Sequence, residues 1–90
     1  MARKFEKACV IGGGVIGSSF TLLFAMGKMD VILYNLDENE ENKSKKIIEK
    51  YVDELIEKNV VSEDKQTIMK RISYTTDEKE AIEFADIVEE

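Results

Sequence analysis

The sequence predicts an α/β fold: part of a doubly wound parallel sheet, in strand order 3-2-1-4, with a long helical crossover after the second strand. Three observations lead there. Short, continuous apolar runs, as found in strands buried on both faces, alternate with segments of helical periodicity. Four of the chain's five glycines fall in "CVIGGGVIGSSF" (residues 9–20), between the first apolar run and the first helical segment. The second apolar run is followed by helical pattern as far as Arg71, enough chain to cross over and return parallel.

Residues 8–11 form the first strand, ended by the glycine cluster. From Val15 onward, Ile16, Phe20, Leu23 and Phe24 recur at spacings of three and four, which predicts a helix of roughly three turns with Gly27 as its terminator. Val31, Ile32 and Leu33 centre a second strand that ends at Asn35. Asp37 with Glu40 three residues later is a capping pattern, and the helix it opens runs to about Lys58, with Ile48, Tyr51, Val52, Leu55 and Ile56 on its apolar face. Lys43, Lys45, Lys46 and Lys50 lie mostly on other faces and read as solvated surface. Ser62 is the expected cap of a shorter helix through about Arg71, packing by Ile68, Met69 and Ile72. Residues 73–76 predict a third, more exposed strand. Asp77 and Glu80 repeat the capping pattern before Ala81, Ile82, Phe84 and Ala85, and Asp86, Ile87 and Val88 begin a fourth strand.

Composition narrows the function. At 90 residues, 43% hydrophobic and 36% charged, the chain has the make-up of one small globular domain. Thirteen Lys and Arg against nineteen Asp and Glu give a net charge of −6, which disfavours a nucleic-acid partner. Cys9 is the single cysteine and histidine is absent, so the sequence offers no disulfide framework, no clustered metal ligands and no imidazole base. A lone cysteine fits a reducing compartment, and a cytoplasmic location is the expectation. A membrane anchor competes, since residues 8–27 run without a charge and Gly13 and Gly17 have the spacing of membrane-helix dimers. Successive glycines near the start of that run, adjoining Glu6, and the soluble patterns that follow argue against it.

Gly12, Gly14 and Gly17 make G-x-G-x-x-G between a predicted strand and a predicted helix, with the polar Asn35 eighteen positions beyond Gly17 at the end of the next strand. In a dinucleotide-binding turn Gly12 permits the tight bend, Gly14 lets a pyrophosphate approach the backbone, and Gly17 lets the helix pack on the strand. The free amides of the helix start, with the positive end of its dipole, then bind the anion. The alternative is a glycine turn used only for close packing. Asn35 stands where such folds carry an acid that accepts hydrogen bonds from the adenosine ribose; an amide can still accept one, or serve simply as a strand-ending turn residue. Without an acid there, discrimination against NADP weakens, while Asp37, Glu38 and the lack of a nearby Arg favour NAD.

"VIGGGVIGSSFTLLFAMGKMDVILYNLDEN" resembles the opening of the 3-hydroxyacyl-CoA dehydrogenase family, which includes 3-hydroxybutyryl-CoA dehydrogenases. The likeness continues through "NKSKKIIEKYVDELIEK", "RISYTTD" and "FADIVEE", from Lys7 onward. It implies a Rossmann-type domain of an NAD-dependent oxidoreductase that moves a hydride between the 3-carbon of a hydroxyacyl-CoA and nicotinamide, in fatty-acid or butanoate metabolism. By the resemblance Gly12, Gly13, Gly14, Val15, Ile16 and Gly17 form the NAD loop, and Asn35 departs from the family's usual Asp. Lys58 matches a lysine that contacts CoA and Tyr51 a position where a CoA-contacting serine occurs, with surface or packing duty the alternative for both. The family's catalytic His and Glu, with a helpful Ser and Asn, lie downstream of the segment matching "ADIVEE", and so does its helical dimerisation domain. The expectation is that residues 1–90 are the N-terminal part of the dinucleotide-binding domain, catalytically inactive alone and prone to self-associate through an exposed sheet edge. A non-catalytic NAD-sensing or interaction module is the competing function.

Overall fold

The computed structural model describes residues 7–12, 14–85 and 87–89. Its elements run β1 (Lys7–Ile11), α1 (Gly14–Met26), β2 (Asp30–Tyr34), α2 (Glu38–Glu57), α3 (Lys65–Met69), β3 (Ile72–Thr75), α4 (Glu78–Phe84) and β4 (Ile87–Glu89).

The expected sheet needs correcting in where its substance lies. β1, β2 and β3 form a three-stranded parallel sheet in sequential order 1-2-3, with the helical crossover of α2 and α3 following β2. The reversal that would make the fold doubly wound rests on a single three-residue strand, β4, whose Ile87–Glu89 pairs along the other side of β1 over Ala8, Cys9 and Val10. Asp86, the expected first residue of that strand, lies outside the described residues.

β1 buries Ala8, Cys9 and Val10 in succession, and β2 buries Val31, Ile32 and Leu33. Both strands are covered on both faces, so neither alternates. The pleat divides their side chains. Ala8, Val10, Val31 and Leu33 face the larger core, where Leu22 and Ala25 of α1, Ile48 and Val52 of α2 and Ile68 of α3 complete the layer. Cys9 and Ile32 face a smaller core closed by Ala81 of α4. Burial pushes the Cys9 thiol up, which leaves it an inert filler of that layer rather than a nucleophile.

Asp37 and Asp77 cap α2 and α4 as their spacing predicts, each accepting from the backbone N–H of a Glu three residues on. Ser62 does not cap α3: Asp64 does, accepting from the Thr67 N–H at 2.8 Å, and the helix is one short turn. Arg71 explains the shift. Its guanidinium grips Glu63 with both prongs and donates to the Ala25 carbonyl at 2.9 Å, which fastens the segment before Asp64 to the end of α1 and outside the helix. Ile72, expected on that helix, is instead the first residue of β3. Gly27 does not take the left-handed position after α1; Lys28 does, at φ 66°, while Met29 N–H reaches back to the Phe24 carbonyl in a Schellman closure. Asn59 plays the same part after α2, at φ 56°. Among the described residues no helix is long and apolar enough to cross a membrane.

Candidate cofactor-binding site

The carboxyl ends of β1 and β2 meet at the glycine turn. Tyr34 pairs with Ile11, and the Gly12 N–H then donates to the Tyr34 carbonyl at 3.0 Å, which ties the turn to the end of β2. Gly12 and Gly14 take φ of 89° and 72°, left-handed values that a side chain disfavours, and a Cβ on either would point into open space. Gly17 is glycine for a different reason. A Cβ there would lie 1.9 Å from the Gly12 carbonyl oxygen, so the second turn of α1 rests directly on the backbone of the β1–α1 connection. These are the separate duties that a dinucleotide turn assigns to its three glycines. Gly13 lies outside the described residues.

α1 starts at Gly14 with no acidic residue in its first turn, so its leading amides face an open cradle under a positive dipole end. Val15 and Ile16, 58% and 74% exposed, flank that cradle with apolar side chains. A diphosphate fits these residues. The open space over Gly14 lets it reach the amides, and the glycine contact at position 17 holds the helix start in place.

Asn35 directly follows β2, and its backbone N–H donates to the Thr75 carbonyl at 3.0 Å. Its side chain is turned inward and only 1% exposed, its Oδ1 accepting a 3.0 Å hydrogen bond from the Ser44 hydroxyl of α2. Among the described residues the Asn35 Nδ2 is buried with no hydrogen-bond partner, as is the Ser18 hydroxyl on α1. Ser44 is the residue that sequence reasoning missed. A signal was present: it sits at four-residue spacing from Ile48 and Val52, a polar residue on the buried stripe of α2.

Tyr51 and Lys58 come together. With Leu22, Leu23 and Met26 of α1 and Glu54 and Leu55 of α2 they line a groove of about 360 Å³ between the two helices. The groove is largely apolar, with Lys58 and Glu54 supplying charge of opposite sign. Among the described residues no cluster of His, Cys, Asp or Glu could hold a metal ion.

Fold and turn together define a dinucleotide-binding α/β domain. The sequence model of the 3-hydroxyacyl-CoA dehydrogenase NAD-binding domain matches residues 7–90, and the chain belongs to that family. Solved structures agree on the architecture. A diketoreductase described as acting on dicarbonyl compounds matches at 26% identity and TM-score 0.83, over 97% of this chain and 31% of its own. The 3-hydroxybutyryl-CoA dehydrogenase from Escherichia coli K12 matches at 21% identity and TM-score 0.84, over 96% of this chain and 18% of its own. The (S)-3-hydroxybutyryl-CoA dehydrogenase from Ralstonia eutropha gives 22% and 0.84, over 94% and 30%. The last two share the fold; this chain spans less than a third of the length of each of the three.

Proposed function

We propose that this chain is the N-terminal, NAD-binding part of an oxidoreductase acting on 3-hydroxyacyl-CoA thioesters. The observation that carries the reading is the close approach of Gly17 to the Gly12 carbonyl, which seats the start of α1 directly above the end of β1 as a dinucleotide turn requires. Bound there, NAD would supply a nicotinamide ring that accepts or donates hydride. The chain's own part is to hold the diphosphate on the Gly14 to Gly17 amides and to seat the adenosine beside Asn35. The groove between α1 and α2 suits the CoA portion of the substrate, with its apolar wall for the pantetheine arm and Lys58 for a phosphate.

Proton transfer is a separate matter. The chain contains no histidine, so in this reading the imidazole base that the family resemblance implies is not supplied by these 90 residues. Calorimetry with NADH tests the cofactor reading: saturable binding that Gly14→Ala weakens is expected, and no heat of binding in the folded chain would overturn it. Acetoacetyl-CoA added with NADH should produce no turnover by the chain alone; measurable NADH oxidation would refute the assignment of the base elsewhere.

A further inference from the structure

Where the second strand of a dinucleotide fold ends, a carboxylate ordinarily accepts hydrogen bonds from the adenosine ribose hydroxyls. Here that place is held by an amide whose oxygen already accepts one hydrogen bond. Asn35 Oδ1 takes the hydroxyl proton of Ser44, itself fully buried, and Nδ2 keeps two N–H groups without a partner among the described residues. Buried donors of this kind are rare in folded chains and call for an explanation. Of the acids that follow the strand, Asp37 is engaged through Oδ1 at the N-cap of α2, accepting from Glu40 N–H at 2.9 Å.

We propose that Asn35 reads the adenosine ribose as a hydrogen-bond donor, and that Ser44 is the positioning residue that makes it one. The two prongs of an amide diverge, so tying the oxygen to α2 directs the NH₂ group away from α2. On the pleat Asn35 shares the face of Val31 and Leu33, the side on which α1 packs, and it follows the residue whose carbonyl is bound by Gly12. A ribose hydroxyl oxygen at that edge accepts from Nδ2 and ends its unpaired burial. The amide is buried in the free chain, so this contact requires its surroundings to yield as the sugar arrives. A neutral donor carries no charge to repel a 2′-phosphate, so this site separates NAD from NADP only weakly. The inference rests on the NAD-binding reading of the glycine turn.

The test measures NADH and NADPH affinities for the chain and its variants, and follows the Asn35 side-chain NH₂ signals by ¹⁵N NMR during the titrations. NADH should shift those signals. Asn35→Asp, which restores a charged acceptor, should tighten NADH roughly fivefold, the gain of a charged over a neutral hydrogen bond. It should weaken NADPH about tenfold through repulsion of the 2′-phosphate. Ser44→Ala frees the amide to flip and should weaken NADH about twofold while blurring the NH₂ response, as expected when one of two amide orientations is no longer selected. Ser44→Thr, keeping the hydroxyl, should restore both. Should Asn35→Asp fail to fold, the Ser44 variants decide alone. NADH and NADPH moving together in Asn35→Asp, or tighter NADH binding in Ser44→Ala, overturns the inference while leaving the NAD reading intact. Failure of the wild-type chain to bind NADH overturns both.

Discussion

Gly17→Ala is the sharpest perturbation of the glycine turn. The added Cβ would stand 1.9 Å from the Gly12 oxygen and 2.9 Å from its carbonyl carbon, with Val10 Cγ1 at 3.7 Å behind. Both close atoms are backbone, so nothing can rotate aside, and α1 must retreat by roughly 1.5 Å to restore an ordinary contact. Overpacking of this kind costs about 1–3 kcal/mol, and a backbone collision belongs at the upper end of that range. Alanine returns up to ~1 kcal/mol in helix propensity, leaving a net loss of about 2 kcal/mol. In a domain of this size that lowers Tm by on the order of 10 °C. The retreat also pulls the leading amides off a diphosphate, and one charged hydrogen bond lost costs NADH roughly tenfold or more in affinity. Urea melts and calorimetry with NADH read the two effects. Gly14→Ala is the control for stability alone: its Cβ meets open space, so it should cost only the ~1 kcal/mol of a left-handed residue and leave α1 in place. A Gly17→Ala chain as stable as wild type, binding NADH within about twofold, would refute the reasoning.

Two ionisable groups outside the turn give pH-dependent predictions. The Tyr74 phenol is pushed up to about 12, first by burial and then by Glu41 and Glu49, and its hydroxyl is buried without a partner among the described residues. The folded state therefore keeps its proton longer than the unfolded one, so stability is full below about pH 10 and declines above it. Tyr74→Phe should remove that alkaline decline and be neutral or stabilising by up to about 1 kcal/mol near neutral pH, since it deletes an unpaired buried group; a clear loss in thermal melts would count against this. Glu63 is held below the ordinary carboxylate range, first by the hydrogen bond from Arg71 and then by its charge. Its contribution to stability is present above the unfolded value and lost as pH falls through the lower folded one. The gap between wild type and Glu63→Gln in urea midpoints should thus be constant above about pH 5 and close in more acid solution; a gap that persists unchanged to about pH 3 would sink the assignment.

What the sequence made legible is what local chemistry dictates. A three-glycine turn between a strand and a helix constrains its own backbone, so its geometry could be read residue by residue. Asp37 and Asp77 announced their helices because a cap and its N–H partner are three residues apart. Tyr51 and Lys58 share a helix face at seven-residue spacing, but the opposing wall of their groove comes from α1 and is set by packing alone. Non-local pairings were invisible for the same reason. Arg71 reaches Ala25 across 46 residues, and that reach decides where α3 begins. Lys28 takes the left-handed position expected of Gly27, since the closure is fixed by where Met29 must turn into β2 rather than by residue preference. Asn35 was legible as a position, whereas its inward engagement with Ser44 depended on how α2 lies against the strand end.

The distribution of acids resolves an apparent conflict between a net charge of −6 and an anionic ligand. α2, α3 and α4 are each entered through an aspartate whose Oδ1 consumes a leading backbone N–H, from Glu40, Thr67 and Glu80 respectively. The first turns of α2 and α4 add Glu38, Glu40, Glu41, Glu78 and Glu80, where the helix dipole favours them. α1 is entered through glycines alone, which have no side chain to cap with, and its first turn carries no acid. Carboxylates thus occupy the helix starts that would otherwise compete for a phosphate, and they are absent from the start of α1, whose amides open onto a cradle. A diphosphate at Gly14 therefore meets a helix start whose amides no capping carboxylate has consumed, a local feature that the total charge does not report.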